Sequence, residues 1–457
     1  MSETEEEELA LRISAERSGR GPATWGQQVI WDSISSLGDD GRRYNQMVGV
    51  QLDPPYPRSA VLDALTAAAR RHEALRTRLE PSPTGELTQV LDDTGQIPVV
   101  IRRCAPAETE RVGKELLASL AAGAFDCAAH WPIRVGLVEA GGLVRHFELA
   151  LSHTAVDGGG LRRLTRDVVM LLAGTSPESL RKLYPATQPL DEAAYQKSDR
   201  GRRRDAAARR HWCARLGDGP RRLFPARAEH DPDTLFPNVV LHSPALLRSV
   251  DHVAAVRNVS GSSVLLAAVT RGIARLADAP EVQFQLVVGN RFLPGMAQTV
   301  TTLAQDGLFH AAVAEGDFPA LLRRVHASAL GAYRYASYDK RLLDRDVERL
   351  RKDVPELADH SCFYNDTREP DLFRPAPPPG TEHLPLPRAR EQTTVTWPVE
   401  FPPRKDVTFG LDVLDTPGAL DLTMTADTSR VPRPVMEEFL REIEATIIED
   451  ALATGCV

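Results

Sequence analysis

The sequence predicts a mixed α/β (α+β) protein built as two domains. Segments with the helical spacing of apolar residues alternate with segments that have the two-residue period of strands, and this mixture occurs in both halves of the chain. The length of 457 residues also exceeds the size of one typical domain, about 100–200 residues. We therefore expect two compact units, each with its own helices and strands.

The composition is that of an ordinary globular protein. Apolar residues make up 42% and charged residues 26% of the chain, and the formal net charge is −8. A general nucleic-acid-binding protein usually has a strongly basic face, so we do not expect a nucleic-acid partner. The five cysteines are scattered and form no C-x-x-C pair, which argues against a disulfide framework and against a metal site such as zinc.

The amino-terminal segment and the aliphatic runs predict the location of the protein. Residues 1–8 are mostly acidic and lack the basic start and apolar stretch of a signal peptide. The longest aliphatic runs, such as residues 264–269, are far shorter than the ~20 residues of a membrane span. We expect a cytoplasmic protein that does not bind membranes, with a charged, disordered segment over residues 1–20.

The first predicted domain covers residues 21–185. Apolar residues recur at helical spacing over residues 59–79, and strand alternation follows over 133–138. A glycine pair at 141–142 predicts a hairpin turn into a second strand over 144–151. A helix is expected after Gly160, because the apolar residues that follow fall on one side.

The second predicted domain covers residues 186–457. Residues 184–200 contain two prolines and few aliphatics, so they are interpreted as the linker between the domains. The predicted elements of this half are a helix over 262–276, a strand over 282–288, a helix over 317–335, a strand over 407–413 and a final helix from about 433. The proline-rich residues 370–388 predict a long loop.

Arginines are concentrated between residues 200 and 222. The simpler interpretation is a solvated helix face. The alternative is a surface on which an acidic partner protein docks.

The strongest local signal for chemistry is Ser152-His153-Thr154-Ala155-Val156-Asp157-Gly158. It follows a predicted strand and precedes a glycine-rich helix start. A histidine at a strand end can titrate near neutral pH and act as a general base. Taken alone, however, a histidine beside a buried strand is more often a packed core residue than a catalyst.

Other catalytic patterns do not fit. Ser152 and His153 are adjacent, so on a strand their side chains would point to opposite faces and could not form a nucleophile–base pair. The segment His72-Glu73-Ala74-Leu75 ends in Arg76, so the H-E-x-x-H zinc pattern lacks its second histidine. The three glycines at 158–160 are not followed by the Gly-Lys-Ser/Thr of a phosphate loop, and no G-x-S-x-G elbow occurs.

Residues 152–158 resemble the H-H-x-x-x-D-G core of the condensation domains of nonribosomal peptide synthetases and related acyltransferases. Further segments resemble other motifs of that family in the same order. They are Thr24-Trp25-Gly26-Gln27-Gln28-Val29-Ile30-Trp31, Tyr44-Asn45, Arg71-His72-Glu73-Ala74-Leu75-Arg76-Thr77, His211-Trp212-Cys213-Ala214-Arg215-Leu216, Gly289-Asn290-Arg291 and Cys362-Phe363-Tyr364-Asn365-Asp366. The resemblance covers about residues 22–450.

The resemblance implies a fold and a site. The fold would be two chloramphenicol-acetyltransferase-like lobes arranged as a V-shaped pseudo-dimer, with a central tunnel between them. His153 would lie at the middle of the tunnel and orient or deprotonate the acceptor. Asp157 would hold the loop through Arg76, because a buried carboxylate needs a partner. Ser152 and Gly158 complete the expected structural residues of the site.

The resemblance also implies partners, and the sequence departs from the family at several positions. The acyl donor would be a phosphopantetheine thioester delivered by an acyl or peptidyl carrier protein, with no bound cofactor, and the acceptor a small or carrier-bound amine or alcohol. Ser152 replaces the first motif histidine, Val29 replaces a usual arginine, and the tyrosine-rich segment before the second lobe is degenerate. The chain shows no adenylation or carrier domain, so we expect a free-standing member that works in trans.

Three functions follow from the resemblance. The leading one is a condensation enzyme that forms an amide or ester bond in natural-product biosynthesis. The second is a non-catalytic relative that recruits another enzyme to a synthetase. The third is an O-acyltransferase that uses coenzyme A thioesters, and an epimerase is less favoured because the second half shows no glutamate motif for it.

Overall fold

The computed structural model describes residues 5–221, 223–225, 236–313, 316–369, 384–401, 404 and 407–456. These residues form two compact units. The first comprises the described chain up to Arg203 together with Gly289–Ala304, and the second comprises Arg204–Val288 and the described part of Gln305–Val457. The boundary therefore differs from the one expected after residue 185, because residues 186–203 and a later segment of the chain both pack with the first unit.

The first unit mixes helices with two sheets. Its strands are β1 (Glu5–Ser14), β2 (Gly19–Pro22), β3 (Gln46–Tyr56), β4 (Thr77–Pro81), β5 (Leu87–Leu91), β6 (Thr94–Arg103), β7 (Ile133–Ala140) and β8 (Leu143–Leu151). Its helices are α1 (Trp25–Leu37), α2 (Arg58–Arg71), α3 (Thr109–Ala121), α4 (Gly158–Leu172), α5 (Pro177–Leu183) and α6 (Pro189–Lys197), and α7 (Asp199–Asp218) continues into the second unit. Short 3₁₀ turns lie at Gly38–Tyr44, Glu73–Arg76 and Pro106–Glu108.

The main sheet of the first unit has the strand order β1-β6-β7-β8-β3, and a small sheet has the order β2-β5-β4. The predicted hairpin is confirmed: β7 and β8 pair antiparallel, and Gly141 and Gly142 have φ of 62° and 79°. Two successive residues with positive φ suit the two-residue turn of a twisted hairpin, and glycine adopts them without steric cost. Phe147, Leu149 and Leu151 of β8 are fully buried in the core. This hairpin delivers the chain to residues 152–157.

The amino-terminal segment is ordered, so the prediction of disorder over residues 1–20 is wrong for the described part. β1 pairs antiparallel with β6 over its whole length, from Glu5 opposite Arg103 to Ser14 opposite Thr94. Alternate residues of β1 face the core, and Ile13 is only 2% exposed. The acidic composition of this segment concealed a strand whose outer face carries the charges, with Glu6 paired to Arg102 at 2.8 Å.

Two other predictions in the first half need correction. The segment 184–200 is not a linker, because it contains α6 and the start of α7. The helix expected over residues 59–79 ends earlier: α2 stops at Arg71, and His72 is extended, with φ of −104° and ψ of 99°. The physical reason is that the side chains of Arg71 and His72 both bind Asp167 on α4, at 2.8 and 2.9 Å.

The second unit contains one large sheet with helices packed against it. Its strands are β9 (Phe236–Ser243), β10 (Glu281–Val288), β11 (Gln305–Ala312), β12 (Cys362–Asp366), β13 (Thr394–Phe401), β14 (Phe409–Thr416) and β15 (Ala419–Ala426). Its helices after α7 are α8 (Pro244–Arg257), α9 (Gly261–Leu276), α10 (Phe318–Arg334), α11 (Lys340–Asp353), α12 (Leu386–Glu391) and α13 (Arg433–Ala453).

The strand order of this sheet is β11-β10-β12-β14-β15-β9-β13, with β12 parallel to both β10 and β14. The predicted helices and strands over 262–276, 282–288, 317–335, 407–413 and from 433 are confirmed as α9, β10, α10, β14 and α13. Of the predicted loop 370–388, residues 370–383 lie outside the described residues, and the rest includes the start of α12.

The arginine-rich stretch is largely the surface of α7. Arg202, Arg203 and Arg210 are exposed, as expected for a solvated helix face. Arg209 instead pairs with Asp205 at 3.0 Å and contacts Asp346. Within the described residues, no single helix has the length and apolar composition to cross a membrane, and α8 and α9 satisfy that criterion only together, as a pair bent by 106°.

Candidate active site

His153 lies in the turn that joins β8 to α4. The turn is closed by main-chain hydrogen bonds from Ala155 and Val156 to the carbonyl oxygen of Ser152, at 3.0 and 3.4 Å. The imidazole is half-buried, and its Nδ1 lies 3.0 Å from the carbonyl oxygen of Val156. Because a carbonyl oxygen can only accept a hydrogen bond, Nδ1 carries the proton. Nε2 then keeps its lone pair and has no hydrogen-bond partner within the described parts of the chain.

The surroundings of His153 favour its neutral form. Burial lowers the pKa of the imidazole below its ordinary value of 6.5, although the charge of Asp157 and the hydrogen bond to Val156 act in the opposite direction. At neutral pH the ring can therefore accept a proton or a hydrogen bond at Nε2. The ring of Tyr44 lies next to it, with 6.1 Å between ring centroids and a tilt of 39°. This tyrosine belongs to the Tyr44-Asn45 motif singled out in the sequence.

Asp157 is the anchor of the turn. It is the N-cap of α4, and its Oδ1 accepts a hydrogen bond from Gly160 N at 2.7 Å. Its Oδ2 accepts from the main-chain N–H groups of Leu303 and Ala304, at 2.9 and 3.0 Å. Arg291 binds both oxygens, with N–O distances of 2.6 and 2.9 Å. The guanidinium and these hydrogen bonds outweigh the effect of burial and lower the pKa of Asp157 to about 2.

The partner expected for Asp157 was therefore wrong: it is Arg291, not Arg76. Arg76 is 1% exposed, and its guanidinium donates to main-chain carbonyl oxygens of Ala69 at 2.9 Å, Arg17 at 3.3 Å and Asp92. Its guanidinium thereby joins the end of α2 to the residue that follows β5 and to the segment after β1. Both arginines were present in recognised motifs, but spacing along the sequence could not show which one reaches the carboxylate.

Ser152 and Gly158 lie in the same turn as His153. The Ser152 hydroxyl is 2.8 Å from the hydroxyl of Thr154, which in turn lies 3.5 Å from the thiol of Cys127. A Cβ atom on Gly158 would meet only Arg162, at 3.7 Å, so this glycine is not required by a close contact. The close contact is at Gly160, where a Cβ would come within 2.9 Å of the Thr301 carbonyl oxygen. The glycine that a close contact requires is thus Gly160 of α4, not Gly158.

A family model described as "Condensation domain" matches residues 20–450. The chain belongs to the condensation-domain family. This confirms the resemblance drawn from the motifs, and the matched range includes the turn with His153 and Asp157.

Known relatives and solved structures agree with this assignment. A probable non-canonical nonribosomal peptide synthetase, CymA of Salinispora arenicola, is 32% identical over 152 residues, which is 33% of this chain and 2% of CymA. The chain thus spans only a small part of that synthetase. The condensation domain that mediates chain release from the enacyloxin polyketide synthase superposes with a TM-score of 0.70 at 17% identity, covering 96% of this chain and 84% of that one. The X-domain solved in complex with OxyB from teicoplanin biosynthesis gives a TM-score of 0.62 at 15% identity, covering 98% and 96%. The mixed α/β fold is therefore that of condensation domains.

Sequence reasoning missed a buried glutamate on α6 of this condensation domain. Glu192 on α6 is 6% exposed, and its Oε1 accepts a hydrogen bond from Gln196 at 2.9 Å. Gln196 in turn accepts from Trp25 N, at the start of α1. Burial raises the pKa of Glu192 to about 8 despite the positive charge of Arg291. The sequence offered one indication of this contact: Glu192 lies four residues before Gln196, a spacing that places both side chains on one face of a helix. Both residues lie in the segment interpreted as a linker.

Asp167 was missed as well. This fully buried residue of α4 binds Arg71, His72 and Arg166, and these contacts lower its pKa to about 2 although burial acts against ionisation. These contacts hold the side chains of Arg71 and His72 against α4. Within the described residues, no group of three or more His, Cys, Asp or Glu side chains is arranged to hold a metal ion.

Proposed function

We propose that this condensation domain joins an activated acyl group to an amine or hydroxyl acceptor, forming an amide or ester bond in natural-product biosynthesis. The observation that supports this most directly is the state of His153. Its Nδ1 is held by a carbonyl oxygen, its Nε2 is left to accept, and burial keeps the ring neutral. These are the properties that a general base needs.

In the proposed reaction the acceptor attacks the thioester directly, and no covalent acyl-enzyme forms. The acceptor N–H or O–H donates a hydrogen bond to Nε2 of His153 while its lone pair attacks the carbonyl carbon of a thioester. As the new bond forms, the C–S bond breaks, and the proton passes through the imidazole to the departing thiolate. The Ser152 hydroxyl contacts the hydroxyl of Thr154 and no histidine. Within the described residues, Ser152 therefore has no general base that would make it a nucleophile.

We further propose that the acyl group arrives on the phosphopantetheine arm of a carrier protein, and that the protein binds no cofactor of its own. Support comes from the family assignment and from relatives that are nonribosomal peptide synthetases. The acceptor would be a small or carrier-bound amine or alcohol.

The first test replaces His153 with alanine and measures single-turnover product formation from a loaded carrier. Loss of a general base is expected to lower the rate roughly 10²–10⁴-fold without unfolding the protein. The wild-type rate should also keep its maximum down to a pH below 6.5, because burial lowers the pKa of this histidine. Exposed His130 supplies the control, and His130→Ala should be as active as the wild type. An active His153→Ala variant would limit His153 to positioning the substrate.

The second test compares donors. One acyl group is presented on a carrier protein, on coenzyme A and on a short thiol mimic, and kcat/KM is measured for each. The proposal expects the carrier-bound donor to be used most efficiently. If docking is electrostatic, its association rate should also fall as salt is added. Equal values for the three donors would show that only the acyl group is recognised, and the coenzyme A-dependent O-acyltransferase would become the better assignment.

A second candidate is a non-catalytic recruitment protein. Two observations favour it: Ser152 replaces the first motif histidine, and a structural neighbour, the X-domain of teicoplanin biosynthesis, is known in complex with OxyB. Tight binding of a biosynthetic enzyme, together with no turnover by the wild type on any of the three donors, would establish this candidate instead.

A further inference from the structure

The second unit contains an arginine-lined cleft at one edge of its sheet. The cleft has a volume of about 580 Å³ and lies where the parallel strands β12 and β14 begin. Its walls are the loop over residues 355–361, the residues before β14, the residues after β15 and the ends of α7 and α11. All of these belong to the second unit, and none is a residue of the His153 turn. The volume is in the range of small-molecule sites, about 300–1,000 Å³.

Four guanidinium groups line this cleft, and within the described residues one of them, Arg430, forms an ion pair with a carboxylate. Arg430 lies 3.4 Å from Asp427 and also donates to the carbonyl oxygen of Phe224 at 2.7 Å. Arg221 donates to the carbonyl oxygens of Gly217, at 3.0 Å, and Glu356. Carbonyl oxygens satisfy its N–H groups but do not neutralise its charge.

The other two arginines of the cleft, Arg351 and Arg404, make no hydrogen bond or ion pair with any residue that the structure describes. Both side chains are exposed. Three guanidinium groups that form no ion pair with a described carboxylate therefore line the same cleft, and the charge of Arg404 also acts on the carboxyl of Asp412.

The carboxylates of Asp359 and Asp427 accept hydrogen bonds from neutral groups, which fix their positions but leave their negative charges in the cleft. Asp359 accepts from Leu223 N at 3.1 Å and from both the main-chain N–H and the hydroxyl of Ser361, at 2.9 and 2.7 Å. Asp427 accepts in the same way from Ser429, at 2.9 and 2.6 Å. These acids shape the loops of the cleft. The third carboxylate of the lining is Glu356.

We propose that this cleft binds a phosphate-bearing small molecule, whose phosphate lies among Arg221, Arg351 and Arg404. A phosphate monoester carries about −1.5 to −2 charges and three strong acceptor oxygens, so it can bind more than one guanidinium. Arginine presents its N–H groups in a planar fork that matches phosphate oxygens. A single carboxylate has only two acceptor oxygens, so it can bind fewer of these guanidinium N–H groups at once.

The test measures binding of pyrophosphate and of succinate by titration calorimetry, at constant ionic strength maintained with chloride. The cleft variant is Arg351→Ala/Arg404→Ala. The control variant is Arg349→Ala/Lys352→Ala, which removes the same charge from residues of α11 outside the lining. Turnover is not needed for this measurement, so its outcome is independent of the proposed function.

We expect saturable binding of one pyrophosphate to the wild type and to the control, with dissociation constants within twofold of each other. In the cleft variant the dissociation constant should rise at least tenfold, and succinate should bind the wild type more weakly than pyrophosphate. The site would be overturned if the two variants lost the same affinity for pyrophosphate or if the cleft variant lost none. It would also be overturned if the wild type showed no saturable binding. Succinate binding as tight as pyrophosphate binding would overturn the phosphate assignment in favour of a dicarboxylate.

Discussion

Two buried acids of the first unit, Asp157 and Glu192, have opposite protonation states at neutral pH. Asp157 receives a bidentate arginine and three main-chain N–H groups, and its pKa falls to about 2. Glu192 receives one amide, and burial raises its pKa to about 8. The number of donors facing each carboxylate, rather than the depth of burial, decides which one is charged.

The protonation of Glu192 predicts a dependence of stability on pH. The folded chain keeps this proton up to a pKa of about 8, whereas the ordinary value is 4.5. The folded state therefore binds one more proton between these two values. The stabilisation by the protonated form is fully present below about pH 4.5 and is lost as the pH rises through about 8.

Glu192→Gln tests this, because the amide has the same shape and does not titrate. Relative to the variant, the wild type should lose up to about 1.4 kcal/mol of unfolding free energy per pH unit across this window. Urea unfolding at pH 5, 6.5 and 8 measures the difference, with exposed Glu86→Gln as the control. A difference between the wild type and Glu192→Gln that is the same at all three pH values would show that Glu192 is ionised in the folded state.

At the level of secondary structure, strand β1 completes the main sheet of the first unit. It covers the edge of β6, which would otherwise expose unpaired main-chain groups. Its inward residue Ile13 joins the core that contains Ile97 and Val99 of β6. The charged residues between the inward positions made this segment resemble a disordered terminus, because composition averages over the two faces of a strand.

The role of β1 predicts unequal effects at neighbouring positions. Ile13→Ala should lower the unfolding free energy by about 2–4 kcal/mol, since it removes a fully buried side chain and leaves a cavity. Arg12→Ala, next to it on the exposed face of the same strand, should change the unfolding free energy by less than about 0.5 kcal/mol. Chemical denaturation of the two variants measures both values. Equal, negligible effects would mean that the amino-terminal strand does not form in solution.

At the level of the whole chain, the pair Asp157–Arg291 joins segments that are 134 residues apart in sequence. Residues 289–304 lie between β10 and β11 of the second unit in sequence, yet they pack in the first unit. The carboxylate of Asp157 receives the main-chain N–H groups of Leu303 and Ala304 at the end of that segment as well as Arg291 near its start. This one side chain therefore fixes both ends of the segment.

A double-mutant cycle tests which arginine is the partner. Asp157→Asn alone should lower the unfolding free energy by about 3–5 kcal/mol, because it breaks a buried ion pair. Combined with Arg291→Lys, it should show a coupling energy of about 1–3 kcal/mol. The matched cycle with Arg76→Lys should show coupling below about 0.5 kcal/mol, since Arg76 binds only main-chain oxygens. Larger coupling to Arg76 than to Arg291 would contradict the structure.

The sequence by itself determined the family, the mixed α/β class and the elements whose pattern is local. The hairpin of β7 and β8 has an alternating apolar face and a glycine pair, and α9, α10 and α13 have long apolar stripes, so short-range periodicity was sufficient for them. The motif around His153 could likewise be found from consecutive residues, although its catalytic role stays a prediction.

Only the tertiary structure decided the partner of Asp157, the burial of Glu192, the end of α2 at Arg71 and the ordering of β1. Each depends on a group far away in sequence: Arg291 for Asp157, the surroundings of α6 for Glu192, Asp167 for Arg71 and β6 for β1. Sequence patterns report the spacing of residues along one element. They carry no information on which distant donor reaches a given carboxylate or which strand pairs with a charged segment, and those contacts set the charge of Asp157 and the position of β1.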